Sequence, residues 1–287
     1  MSHETLLLRE ERLARPPKAV LLDLDGTLYR GEEPIEGAAE LVNRLEAAAV
    51  ACWYLTNNST RTPEQVASHL RALGIPASAD RVITSASAAA DYAKRMHPGA
   101  SAFVIGEHGL RSALAEAGVA MPGEDELSRG APVNLVVQGL DRGMTYAQLT
   151  AALGYLLAGA DYLLTNPDRR LPVAGGGFMP GAGSLGALLE TASDVAPVII
   201  GKPSGIMMQY ALGLAGVEAS EAWVIGDNPH TDLAAGLAAG CPTVLVLTGI
   251  CGSDDWRSRC ERADAMPDAV CAGPEAVYAL VAGLGVR

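Results

Sequence analysis

The feature that most constrains this chain is a short apolar run ending in two carboxylates: Ala19-Val20-Leu21-Leu22-Asp23-Leu24-Asp25, followed by Gly26-Thr27. Its length and β-compatible composition read as a strand buried on both faces of a parallel sheet. Three later apolar runs end in the same manner. Ala51 to Leu55 leads into Thr56-Asn57-Asn58-Ser59, and Pro197 to Ile200 into Gly201-Lys202-Pro203. Ala222 to Ile225 leads into Gly226-Asp227-Asn228-Pro229-His230-Thr231-Asp232. Loops at the carboxyl ends of parallel strands line one crevice, so residues roughly two hundred positions apart are expected to converge there.

Helical segments alternate with these runs. Glu36 to Ala49 has helical periodicity, and Thr62-Pro63-Glu64 opens a helix with a cap and a first-turn proline, stopped by Gly74 and Pro76. Thr243 to Leu247 reads as another strand and Gly273 to Leu280 as the last helix. Between the second and third motifs the alternation is less regular. Strands are expected at Ser101 to Ile105, Val133 to Gln138 and Asp161 to Leu164, with a helix over Tyr146 to Leu157 capped by Thr145. Gly123 to Pro132 reads as a polar loop, and Gly175-Gly176-Gly177 with Pro180-Gly181 as a turn-rich region. The expected architecture is α/β: a doubly wound parallel sheet core from residues 1–85 and 181–287, with an inserted α/β cap domain over 86–180.

Composition narrows the function. The 21 Lys and Arg against 33 Asp and Glu give a net charge of -12, with no dense basic stripe, so a nucleic-acid polymer is not an expected partner. Five cysteines (Cys52, Cys241, Cys251, Cys260 and Cys271) lack Cys-x-x-Cys spacing and any supporting histidine cluster, which favours scattered thiols in a reducing compartment over disulfides or zinc. The stretch MSHETLLLREERLARPPKAV mixes acidic residues with apolar ones, and no long uncharged apolar window follows. Neither a signal peptide nor a membrane span is expected, and the location expected is cytoplasmic.

The residue types at the strand ends define a chemistry. The oxygens of a phosphate monoester repel a nucleophile, and a Mg2+ ion held by carboxylates offsets that charge. Asp23 and Asp227 are the expected metal ligands, with the backbone carbonyl of Asp25 beside them. Asp23 can also attack phosphorus, because a carboxylate is a competent covalent nucleophile. Asp25, two residues on, is placed to protonate the leaving oxygen and later to take a proton from water. Lys202, Thr56 and Asn57 offer charge and donors to phosphoryl oxygens. Gly26 permits a tight approach, the Thr27 hydroxyl can stabilise the loop, and Asp232 belongs to the surroundings of the metal rather than to its ligands.

This quartet resembles the haloacid dehalogenase-like hydrolase superfamily, which is mostly phosphatases. Asp23-Leu24-Asp25-Gly26-Thr27-Leu28 looks like its first motif, Thr56-Asn57-Asn58 its second, Lys202 its third and Gly226 to Asp232 its fourth. The middle of the chain is similar to the NagD-like subgroup with a large α/β cap, through Gly139-Leu140-Asp141-Arg142, Thr165-Asn166-Pro167-Asp168 and Pro180 to Ser184. The resemblance implies a phosphomonoesterase working through an aspartyl phosphate. Its expected partner is a small-molecule phosphate ester: a sugar phosphate, glycerol phosphate, phosphoglycolate, a nucleotide monophosphate or pyridoxal phosphate. A homodimer is the assembly the resemblance suggests. Asp25 argues against dehalogenation, which needs no proton donor there.

Competing readings exist for each residue. An isolated Asp-x-Asp is usually a capping or solvated pair, a lone lysine usually faces water, and Gly-Asp-Asn can mark an ordinary turn. The Gly-x-Gly-x-x-Gly match at Gly181 to Gly186 lacks the preceding strand that a dinucleotide site needs. Asp141, Arg142, Asn166, Asp168 and Arg169 are candidates for contacting the organic part of the substrate, and each also suits a turn or an internal hydrogen bond. His230 has no assigned role. Phosphotransfer to another small molecule, or a non-catalytic phosphometabolite sensor, are the rival functions.

Overall fold

A computed structural model describes residues 5–173 and 176–285. Residues 1–4 of the leader and Gly175 of the expected glycine turn lie outside the described residues. The chain forms two compact units, one of residues 1–56, 64–83 and 202–287 and the other of residues 57–63 and 84–201.

The first unit is built on a seven-stranded sheet in the spatial order Thr5–Leu7, Ala269–Cys271, Thr243–Val246, Ala222–Gly226, Ala19–Asp23, Ala51–Thr56, Val82–Thr84. From Ala269–Cys271 to Ala51–Thr56 every pairing is parallel, and Thr5–Leu7 pairs antiparallel at the edge. Ala19, Val20, Leu21 and Leu22 are all buried, as a central parallel strand covered on both faces requires. Truncating Leu22 to Ala would cost about 2–5 kcal/mol. The chain steps outward from this strand to Ala51–Thr56, then returns on its other side at Ala222–Gly226. The strand order therefore reverses between Ala19–Asp23 and Ala222–Gly226, and the crevice at such a reversal is where parallel sheets bind ligands. Helix Ala38–Ala47 turns Ala38, Leu41, Val42 and Leu45 inward at helical spacing, and Pro63–Ala72 does the same with Val66, Ala67 and Leu70.

The second unit has its own parallel sheet, ordered Val198–Ile199, Asp161–Leu164, Leu135–Gln138, Ala102–Ile105. Helix Tyr146–Leu157 begins at a reciprocal cap between Thr145 and Gln148. Segment 57–63 is tied into this unit: the Ser59 hydroxyl accepts the Leu140 N–H at 3.1 Å, and the Thr60 carbonyl accepts the Gly109 N–H at 3.0 Å.

Two expectations change, and the leader, for which there was none, gains an element. The run Pro197 to Ile200 supplies a strand of the second sheet, pairing Val198 with Leu163 and Ile199 with Leu164, so Lys202 does not follow a strand of the main sheet. A short apolar run does not encode which sheet it joins; its partners decide. Gly123 to Pro132 contains a helical turn at Glu124–Ser128, held by the Gly123 N–H donating to Glu126 at 2.8 Å. The leader contributes the edge strand Thr5–Leu7.

Candidate active site

Asp23 ends the central strand and Asp227 follows its neighbour Ala222–Gly226. Just beyond, Pro229–Leu233 forms a π-helical turn, capped by the Asn228 side chain accepting the His230 N–H at 3.0 Å. Such turns recur at functional sites because they redirect side chains. Here the turn folds Asp232 back so that its carboxylate accepts the Asn228 N–H at 3.1 Å. Ligand oxygens of Asp23, Asp227 and Asp232 all lie within 4.8 Å of one another.

Lys202 stands among them. Its Nζ is paired with Asp23 and lies 2.7 Å from the Asp232 carboxylate, with Lys202 3% and Asp232 1% exposed. Burial works to lower the lysine pKa, and the charges of Asp23 and Asp232 outweigh it and push the value up. One buried cation faces three carboxylates, more negative charge than it can balance when all three are ionised. Burial raises the Asp23 pKa well above the carboxylate range, with Asp232 adding to the rise and Lys202 opposing it. Burial and then the Asp232 charge push Asp227 up to about 7, against the Ile250 N–H that donates to it at 2.6 Å. A divalent cation fits this cluster: oxygen donors, close spacing and excess negative charge are what a hard cation takes.

Glycines let the carboxylates pack this closely. Gly26 has φ +88°, and a Cβ there would come to 2.7 Å from the Asp227 carboxylate carbon. At Gly249 a Cβ would come to 2.5 Å of the same carbon, and at Gly226 to 2.5 Å of that of Asp232. Asp25 projects from the loop as an exposed side chain whose pKa partial desolvation raises, a Gly31 backbone hydrogen bond opposing. The Thr27 hydroxyl is buried and has no hydrogen-bond partner among the described residues, so the loop is not held through it as expected. Thr56 closes the strand beside Asp23.

The structure thus brings Asp23, Lys202, Asp227 and Asp232 together in the first unit. Asn57 belongs to the second unit. There its amide donates to the Asp168 carboxylate at 3.2 Å, and its carbonyl accepts from Asn166 at 2.8 Å and Ser85 at 2.6 Å. Arg142 forms a two-pronged pair with Glu107 at 2.7 Å on each prong, which holds the Glu107 pKa down. Asp141 closes a turn by accepting the Gly143 N–H at 2.9 Å, and Arg169 is exposed. The His230 side chain is also exposed.

Sequence reasoning missed the loop Thr248-Gly249-Ile250. It follows the strand Thr243–Val246, whose apolar run was visible, and its Thr-Gly pair just past a strand end is the signal that would have found it.

Comparison with known proteins agrees with this geometry. A haloacid dehalogenase-like hydrolase profile matches residues 20–120, and a HAD-hydrolase-like profile matches 199–273. An acid sugar phosphatase of Staphylococcus epidermidis is 40% identical over 242 residues, covering 84% of this chain and 91% of that one. The chain belongs to the haloacid dehalogenase-like hydrolases, as a NagD-like phosphatase. Among solved structures, a p-nitrophenyl phosphatase from Archaeoglobus fulgidus is 32% identical, with a TM-score of 0.85 over 92% of this chain and 99% of that chain. A glycerol phosphate phosphatase from Mycobacterium tuberculosis, solved in complex with calcium, is 34% identical. Its TM-score is 0.76, covering 85% of this chain and 70% of that chain. Among the described residues, no helix is long and apolar enough to cross a membrane.

Proposed function

We propose that this phosphatase is a magnesium-dependent phosphomonoesterase that hydrolyses a small organic phosphate through an aspartyl phosphate on Asp23. The observation that carries the reading is the buried cluster of Asp23, Asp227 and Asp232 around the single cation of Lys202.

Asp23, Asp227 and the backbone carbonyl of Asp25 would hold Mg2+, which would offset the charge on the phosphoryl oxygens. An Asp23 oxygen attacks phosphorus as the bond to the ester oxygen breaks, and Asp25 gives its proton to the departing alcohol. Asp25 then accepts a proton from water as the water oxygen bonds to phosphorus. Inorganic phosphate leaves, and the Asp23 carboxylate is restored. Lys202 supplies fixed positive charge to the transferring oxygens, and Thr56 and Asn57 supply donors. Asp232, engaged by Lys202 and by the Asn228 N–H, positions the lysine and the metal surroundings rather than binding the metal.

The second unit is assigned the part of a cap that selects the organic remainder, with Asn166, Asp168, Arg169, Asp141 and Arg142 as the residues to vary. Likeness to an acid sugar phosphatase puts sugar phosphates first among the esters to test. A cytoplasmic setting is supported by the five cysteines, all buried and free. A homodimer is part of the proposal, and light scattering would read it.

The test is inorganic phosphate release, with and without Mg2+, from sugar phosphates, glycerol phosphate, phosphoglycolate, nucleotide monophosphates and pyridoxal phosphate. Magnesium-stimulated release with a clear preference among them is expected. A phosphorylated acceptor in place of phosphate would make the enzyme a phosphotransferase. No stimulated turnover of any ester would overturn the reading.

A further inference from the structure

The loop that sequence reasoning missed makes three separate connections within the first unit. Its Ile250 N–H donates to the Asp227 carboxylate at 2.6 Å. Its Thr248 hydroxyl donates to the Gly26 carbonyl at 2.7 Å, which belongs to the loop carrying Asp23 and Asp25. Its Thr248 carbonyl accepts the Arg30 guanidinium, with Nε at 2.7 Å. Arg30 lies in the two-stranded hairpin Tyr29–Arg30 and Glu33–Pro34 that follows the first motif directly. Gly249, between the two anchoring residues, sits where any side chain would collide with Asp227.

We infer that Thr248 is a positioning residue for the phosphatase reaction: it clamps the first-motif loop and its hairpin to the segment that orients Asp227. The inference deepens the magnesium-dependent reading and rests on it for its functional consequence. The Asp227 carboxylate also takes a hydrogen bond from its own backbone, while like charge on Asp23 and Asp232 favours its rotation away from them. The Ile250 N–H opposes that rotation only while residues 248–250 stay fixed. Thr248 fixes them through two bonds of different kinds, a hydroxyl donor and a carbonyl acceptor. Partners of this type hold ligand orientation, and losing one commonly weakens metal affinity about 10–100-fold.

The two bonds can be removed separately. Thr248→Val removes the hydroxyl with little change of volume, Thr248→Ser keeps it, and Arg30→Met removes the guanidinium. Mg2+ affinity is read by calorimetry on the metal-free protein, and turnover is read apart from it by phosphate release. Thr248→Val is expected to weaken Mg2+ binding and lower kcat, each about tenfold, with KM within about twofold. Thr248→Ser is expected to restore both, and Arg30→Met to fall between. Hydrogen exchange at the Ile250 amide gives a readout that needs neither metal nor substrate, and Thr248→Val should speed it about tenfold or more. If the wild-type protein binds Mg2+ but turns over no ester, the phosphatase reading fails while the positioning inference stands or falls on affinity and exchange. Wild-type affinity, kcat and Ile250 exchange in Thr248→Val would overturn the inference. So would an equal loss in Thr248→Ser, which would mean that packing and not the hydroxyl matters.

Discussion

The two units handle charge in opposite ways. In the second, the Glu107 and Asp168 carboxylates each meet a donor: Arg142 grips Glu107, and the Asn57 amide N–H donates to Asp168. In the first, three carboxylates crowd one lysine, and glycines at 26, 226 and 249 remove the bulk that would keep them apart. A fold gains nothing from unbalanced buried charge, since each such group loses hydration. The imbalance therefore points to a ligand that completes it, whereas the balanced pairs are complete as they stand.

That contrast can be broken most directly at Asp23. Asp23→Asn should lower phosphate release by at least about a thousandfold, as loss of a nucleophile does, with the fold retained by circular dichroism. Full activity in that variant would remove the difference between the units. Next in size is Gly249→Ala, which forces a methyl against Asp227. Mg2+ affinity measured by calorimetry should fall about 10–100-fold, and an unchanged affinity would show that the glycine is not needed there.

The imbalance also predicts a pH dependence. The raised pKa values of Asp23 and Asp227 mean that the folded, metal-free protein holds these protons more tightly than the unfolded chain does. Their contribution to stability is thus greatest at acid pH and declines as pH rises from the ordinary carboxylate value, about 4, towards about 7. Mg2+ competes with those protons, so its stabilisation should grow over the same window. At a hundredfold excess over its Kd, Mg2+ should stabilise by about 2.7 kcal/mol. Thermal melts with and without Mg2+ at pH 5 and pH 7.5 should show the larger shift at the higher pH. An equal or reversed shift would deny that the metal relieves these carboxylates.

The smallest effect belongs to the second unit. Arg142→Met breaks a surface pair and should change stability by no more than about 1 kcal/mol in thermal melts. A larger loss would mean that the pair is part of something the contrast misses.

Much of the first unit was legible because its signals are local. Ala19 to Leu24 is apolar enough to be buried on both faces, and the carboxylates, threonine and lysine stand directly at the ends of such runs. The helix Tyr146–Leu157 was equally legible from its Thr145 cap and its period. What escaped depends on residues far apart in sequence. Val198–Ile199 joins a different sheet from the one expected because Leu163 and Leu164, not its own composition, provide its partners. The Thr248-Gly249 pair past a strand end marks a loop, but the Asp227 carboxylate that requires a glycine there lies about twenty residues away in sequence. The Asn57 amide reads as a phosphate donor from its motif, yet here it also bonds Asp168, a link visible only once the chain is folded.

Asp23 is the residue proposed to carry the phosphoryl group. That role is tested most directly by mixing the Asp25→Asn variant with Mg2+ and an aryl phosphate radiolabelled on phosphorus, whose leaving oxygen departs without a donated proton, quenching in acid and mapping the label. With the proton-accepting carboxylate gone, hydrolysis of the intermediate should slow, and the label should accumulate on the peptide containing Asp23. Label on another residue, or continued turnover through an unlabelled protein, would contradict the account.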